Sequence, residues 1–308
     1  MGRAAPVTRL IRRLLLGAAF FGAGLGIASA QQLEPRAYAP SPIGVNILGA
    51  PYVYQWGAVI TDPSLPVQNV DAKVDAVAAF YNRTFSFFGR SASALVAMPW
   101  VWAKVSGDVG EDRRSISRSG QGDLQLRLAS NILGGPALTP QEFAREAPST
   151  TLGASLTVLM PTGQYDPSKL INIGTHRWAF KPELGLAHPM GKWTLEAYVG
   201  GWFFTVNDDF FGGHRRAQDP ILAVQAHVIY TFLPGLWLSL DGTWYSGGQT
   251  IVDGVAGFDR QQNSRIGATA AVPIGHGHML KLVWAKGASV RVGQDFSAVG
   301  LTYQYRWF

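Results

Sequence analysis

The chain has 308 residues, no cysteine and a formal charge of +6, and only 15% of its residues are charged. Without cysteine there is no thiol catalysis, no thiolate-bound metal and no disulfide framework. The length suits one large β domain or two ordinary domains.

The first 30 residues read as a secretory signal peptide. Arg3, Arg9, Arg12 and Arg13 precede an apolar run, Leu14 to Ile27, that ends at Ala28-Ser-Ala30. A basic start, an apolar middle and small residues at the cleavage point are the marks of such a leader. The run is too short and too rich in Gly and Ala for a membrane anchor. Cleavage after Ala30 lowers the charge to +2, with 22 basic against 20 acidic residues. The basic balance thus belongs mostly to the leader, and a nucleic-acid partner is not expected.

Residues 31–42 are proline-rich and read as a periplasmic lead-in; residues 43–308 form the main domain. Alternation and turn signals predict about twelve strands, at 43–60, 70–86, 91–105, 122–133, 150–161, 172–187, 192–206, 220–232, 236–246, 263–273, 278–287 and 295–308. Short connections, such as Phe87-Phe-Gly-Arg90 and Leu233-Pro-Gly235, alternate with long polar ones, such as Ser106–Gln121 and Asn207–Asp219. Gly134–Ser149 is long on the short-turn side, and Thr139-Pro140 predicts a short helix there.

The strand faces are segregated. Trp178, Phe180, Leu184 and Leu186 oppose Arg177, Lys181 and Glu183; Leu124, Leu126 and Leu128 oppose Asp123, Gln125 and Arg127. Asp71, Lys73 and Asp75 oppose Val70, Val74 and Ala76; Leu238 and Leu240 oppose Ser239 and Asp241. A Lys or Arg facing lipid near the midplane costs about 2–4 kcal/mol, so the charged faces are expected to point inward. Trp56, Trp100, Trp102, Trp178, Trp193, Trp202, Trp244, Trp284 and Trp307 sit at strand ends. After the leader no apolar stretch is long enough for a spanning helix, which leaves a closed barrel as the way to cross a bilayer. The last strand alternates Val299, Leu301, Tyr303, Tyr305 and Trp307 with small or polar residues and ends on an aromatic. The fold class expected is therefore all-β: a transmembrane antiparallel up-and-down β-barrel of the outer-membrane type, with both termini periplasmic.

Gly300, Tyr303 and Tyr305 resemble the terminal assembly signal of bacterial outer-membrane barrels, although Arg306-Trp307-Phe308 follows where that signal usually stops. Together with Leu159-Met-Pro-Thr-Gly163, Lys181-Pro-Glu-Leu-Gly185 and Gly300-Leu-Thr-Tyr303, the chain resembles the outer-membrane barrel family named for a putative meta-pathway of phenol degradation. The resemblance implies passage of small, aromatic or hydrophobic compounds across the outer membrane, and brings no catalytic or binding residues with it.

The candidate pore-lining residues are Asp71, Lys73, Asp75, Asp123, Arg127, Arg177, Lys181, Glu183, Glu196, Asp241, Arg265 and Lys281. Mixed charges facing a lumen either filter solutes or pair and plug it. His276 and His278 have i, i+2 spacing but no carboxylate beside them, so no metal is expected. His214-Arg215-Arg216 lies in a long loop and can meet lipopolysaccharide. His227, with Ser239 or Ser155, is the only hint of a lipase-like Ser–His pair, without a supporting signature.

The leading expectation is a monomeric outer-membrane channel for passive uptake of small molecules. It is not an enzyme and needs no cofactor. Its partners are outer-membrane lipid and lipopolysaccharide, a small-molecule solute, and the barrel assembly machinery acting through the last strand. The alternatives are a structural or surface-interaction barrel with a plugged lumen, and an outer-membrane lipid-modifying enzyme.

Overall fold

The computed structural model describes residues 33–60 and 67–308. The predicted leader and part of the 61–69 loop lie outside these. Among the described residues no helix is long and apolar enough to cross a membrane. The chain instead folds into strands β1 (Asn46–Ile60), β2 (Val67–Phe87), β3 (Arg90–Val109), β4 (Asp112–Gln121), β5 (Leu124–Leu133), β6 (Thr151–Met160), β7 (Ala179–Met190) and β8 (Trp193–Phe204). These are followed by β9 (Asn207–Phe210), β10 (His214–Gln218), β11 (Ile221–Leu233), β12 (Leu236–Gly247), β13 (Thr250–Val252), β14 (Val255–Ala256), β15 (Gln261–Gly275), β16 (His278–Val290) and β17 (Gly293–Trp307).

Each wall strand pairs antiparallel with its neighbour, and β1 pairs with β17 from Asn46↔Trp307 to Ile60↔Gly293. That seam closes the sheet, so neither terminal strand has a bare edge. β4 and β5 take one place in the wall. Trp100 pairs with Gln121, Ala97 with Gln125, and the ladder slips by one residue at Gly122–Leu124, where Pro99 offers no N–H. The wall therefore has twelve positions around its circumference, as the sequence predicts.

The barrel is an inverted globule. Leu128, Leu240, Ile266 and Leu282 are more than half exposed on the outside, while Glu183, Glu196 and Asp241 are 5% exposed or less inside. In water this arrangement is unfavourable, because apolar area stays wet while charges are desolvated. Lipid around the outer face removes the first cost. Trp56, Trp102 and Trp244 mark one rim of the apolar belt; Trp193, Phe232 and Tyr305 mark the other.

Short turns join the strands at one end, and long loops at the other. In the outer-membrane plan the turn end is periplasmic. The exceptional connection between β5 and β6 holds a one-turn helix, α1 (Pro140–Phe143), whose capping box runs between Thr139 and Glu142. At the loop end β9 and β10 pair with β13 and β14 in a separate small sheet. The stretch 172–178, predicted as strand, is instead loop and turns inward. Residues 112–121, predicted as loop, form β4 against the tall β3.

The lead-in predicted for 31–42 does not sit outside the barrel. Its described part, from Leu33, lies within the lumen. Tyr38 is buried, and Ala37 and Tyr38 bond to side chains of β6, β7 and β8. The segment, here the strap, returns to the turn end, where Ile43 donates to the carbonyl of Leu138 at 2.9 Å, and then enters β1.

Candidate functional site: the barrel lumen

The lumen has two unlike walls. On β6–β8, β11, β12 and β15 the inward positions at mid-height are mostly polar or charged, with apolar residues such as Trp202, Ile221, Ile229 and Trp237 nearer the strand ends. Lys181 Nζ lies 2.6 Å from Glu183 Oε2, both side chains almost fully buried. His227 Nδ1 and Asp241 Oδ1 are 2.8 Å apart, and Thr269 Oγ1 donates to Asp241 Oδ2 at 2.8 Å. The Tyr198 hydroxyl donates to Glu196 Oε2. Each buried carboxylate thus has donors, as burial of charge requires. On β1–β3 the inward face is mostly apolar at mid-height, with Ile47, Val53, Val74, Ala76, Phe80, Leu95 and Val101, and turns polar towards the turn end, with Asn82, Thr84, Ser91 and Ser93. The Phe80 ring lies flat over Gly49, where any side chain would collide with it.

The strap spans the lumen along the charged wall. Glu34 N donates to Gln225 Oε1 at 3.2 Å, Arg36 N to Glu196 Oε2 at 2.8 Å and Ala37 N to the Tyr198 hydroxyl at 3.2 Å. Arg36 Nη2 donates to Thr231 Oγ1. The Tyr38 hydroxyl meets Ser155 Oγ at 2.8 Å and Glu183 Oε1 at 3.0 Å. Its ring fills a slot over Gly153 and Gly185, where a Cβ at either position would overlap it. Arg127 covers the Tyr38 ring, its guanidinium carbon 5.1 Å from the centroid. Arg36 sits at φ 65°, a left-handed conformation costly for a side-chain-bearing residue, so the surrounding contacts hold the turn in place.

Nearer the loop end, Asp123 grips the 161–178 loop. It accepts from Gly163 N and Thr175 N, both at 2.9 Å, and from Thr175 Oγ1 at 2.6 Å. This brings Ile171 and Ile173 against Val70, Ala72, Val74, Val101 and Phe296 in an apolar cluster. Below it, Arg177 lies over the Phe204 ring at 4.4 Å and bonds Gln218. Arg265 Nη2 donates to the carbonyl of Phe296 at 2.9 Å.

Of the twelve predicted lumen charges, Asp123, Arg127, Arg177, Lys181, Glu183, Glu196, Asp241, Arg265 and Lys281 face the interior. Asp71, Lys73 and Asp75 do not, and the expectation is corrected there. They point outward, with Val70, Ala72, Val74 and Ala76 buried behind them. Asp71 bonds Arg113 at 2.9 Å on the outer surface, and Tyr52 donates to Asp75 at 2.6 Å. The reason is height. β2 has 21 residues, about 69 Å of chain at ~3.3 Å per residue. A tilted crossing takes only about 9–11 residues. Asp75 is level with Trp102 at the rim, so Lys73 and Asp71 stand above the hydrocarbon, where an outward charge is cheap.

Neither serine considered for a Ser–His pair is bonded to His227: Ser155 Oγ meets Tyr38, and Ser239 Oγ donates to the Thr269 carbonyl at 3.5 Å. His278 Nδ1 lies 2.6 Å from the Tyr303 hydroxyl. Among the described residues no group of three His, Asp or Glu is placed to hold a metal. In the basic loop, Arg215 Nε donates to Asp208 at 3.1 Å and His214 pairs with Asp253. Glu34, Arg36 and Tyr38 were not foreseen as lumen residues. The available signal was charge and an aromatic inside a proline-rich lead-in, matched by glycines at inward positions of adjacent strands.

Between the strap and the β1–β3 wall lies a cavity of about 470 Å³. It extends from Lys281 and Arg127 towards Ser41, Ser91 and Asn131 at the turn end.

One solved structure shares this architecture. A crystal structure of an outer membrane channel from Pseudomonas putida F1 superposes with a TM-score of 0.74 at 20% identity, over 90% of this chain and 100% of that one. The β domain of the Bordetella autotransporter BrkA gives 0.49 at 12% identity, over 86% and 100% of the two chains. The transport unit of the autotransporter AIDA-I from Escherichia coli gives 0.49 at 7%, over 99% of each. A search of curated proteins found no match. The sequence profile of the family described as "Putative MetA-pathway of phenol degradation" matches residues 55–306, and the chain belongs to that family.

Proposed function

From membership of that family, we propose that the protein is an outer-membrane channel for passive uptake of small molecules that carry an apolar part. One observation carries the reading: the lumen is not a uniform polar core, because an ionic wall faces one that is apolar at mid-height and holds no charge, with a cavity between them. Its 470 Å³ lies in the range of small-molecule sites, about 300–1,000 Å³. A solute with an apolar face can slide along Phe80, Leu95 and Ile47 while its polar groups exchange hydrogen bonds with the strap and the far wall. No cofactor or energy source enters the scheme. The outer apolar belt gives the lipid contact, and β17 with its aromatic ending gives assembly factors a recognisable last strand.

The strap supports a second reading, a structural barrel whose interior is closed. Conductance separates the two. Purified, folded protein in a planar bilayer should give discrete ohmic openings, and proteoliposomes should admit small solutes. Folded protein that neither conducts nor admits solute leaves the structural reading standing.

A further inference from the structure

The charged groups lining the cavity are Glu34, Arg36, Arg127 and Lys281, one anion against three cations. Charges taken out of water are ordinarily paired at contact distance. Lys181 and Asp241, elsewhere in the same lumen, obey this. The cavity cations do not. Among the described residues none of the three has a carboxylate oxygen within 4.0 Å of a side-chain nitrogen, the separation that counts as an ion pair. Lys281 rests over the Trp237 ring at 5.6 Å, and Arg127 over Tyr38. Arg127 has one weak hydrogen bond, from Nη1 to the Ala37 carbonyl at 3.5 Å; its Nε and Nη2 are buried without a partner, as is Arg36 Nε. Glu34 is the sole opposing charge in the lining, and its field is shared among Lys181, Arg127 and Lys281.

The opposite side of the cavity carries an apolar patch, Ile47, Phe80 and Leu95 with Leu33 from the strap, bordered by the uncharged polar Asn82, Ser93 and Gln304. A planar fork of donors on one side and a ring with aliphatic side chains on the other select for an anionic head on an apolar body. We infer that this cavity is a binding site for small organic carboxylates, with Arg127 and Lys281 taking the carboxylate and Phe80 and Leu95 taking the apolar body. As a role in uptake this rests on the channel reading; as a binding site it is measured separately.

The probe is benzoate, a rigid apolar body with one carboxylate. Titrations on purified full-length protein in detergent compare it with benzyl alcohol, benzylammonium and acetate at low ionic strength. Benzoate is expected to bind, benzyl alcohol and acetate each at least about tenfold more weakly for want of one half of the ligand, and benzylammonium not at all. Arg127→Gln should weaken benzoate about tenfold and leave benzyl alcohol unchanged. Lys281→Gln tests the head site through a residue that makes no bond to the strap. Each variant is first checked for the gel mobility of a closed barrel, so that misfolding is not read as lost binding. Equal binding of benzoate and benzyl alcohol, or benzoate affinity unchanged in both folded variants, overturns the site. Selective benzoate binding without conductance removes the channel reading and leaves the site in place. Conductance with no preference for benzoate removes the site alone.

Discussion

The two walls of the lumen are made by the same alternation of residues but treat the strap differently. The hydrogen bonds that residues 34–38 make to wall side chains land on β5–β8 and β11, through Arg127, Ser155, Glu183, Glu196, Tyr198, Gln225 and Thr231. The β1–β3 side leaves the cavity instead. An irregular segment inside a barrel must find partners for its amides, and only a wall with acceptors provides them. The β1–β3 wall meets the strap only at the turn end, where Ser91 bonds Ser41 and Thr84 donates to the carbonyl of Pro42, and its mid-height face of Ile47, Phe80 and Leu95 provides no partners, so space remains beside it. The lesson is that burial inside this cylinder is directional: one side grips the strap and the other leaves space beside it.

Removing residues 33–41 tests that contrast most severely. Single-channel conductance should rise sharply while the closed barrel persists, because no wall strand loses a partner. Unchanged conductance places the restriction in the 161–178 loop instead. Glu183→Gln comes next. It leaves Lys181 buried without its counter-charge and should lower unfolding stability in urea by about 3–5 kcal/mol. Gly153→Ala puts a methyl group into the Tyr38 slot. Overpacking of this kind costs about 1–3 kcal/mol, and here it should expel the strap, giving higher conductance with wall stability nearly intact. Lys73→Ala should change stability by no more than about 0.5 kcal/mol, since Lys73 stands on the outer surface above the rim. A large loss there would return Lys73 to the lumen and undo the assignment of faces on β2.

Much of this was legible from residue patterns. The faces of β5, β7, β12 and β17 follow from alternation plus the cost of charge in hydrocarbon, and Leu126, Leu184, Leu240 and Leu301 are exposed as that rule requires. The same rule fails for β2 because it holds only at membrane depth. Val70-Asp-Ala-Lys-Val-Asp75 has the same period as its neighbours but stands partly above the belt, where the loop-end residues Ile171 and Ile173 make the interior the apolar side. Nothing local announces that reversal. The strap was hidden for a different reason. Leu33–Pro42 has no period, and beyond two local turn bonds its contacts are with residues far along the chain, such as Arg36 with Thr231. Pairing between the 207–218 and 250–256 strands was equally invisible, since each is short and meets a partner in another loop.

The strap leaves the lumen at the end where Asn46 meets Trp307, and it shares no ladder with the seam above it. Its withdrawal therefore breaks side-chain bonds and the stacking on Tyr38 but unzips no strand. Local opening of this sort has its own free energy, lower than that of the whole domain. Two clocks should then run in one molecule: amides of Glu34, Arg36 and Ala37 exchanging with deuterium early, and those of the cylinder much later. Warming should release the inner segment at a temperature where the staves still stand.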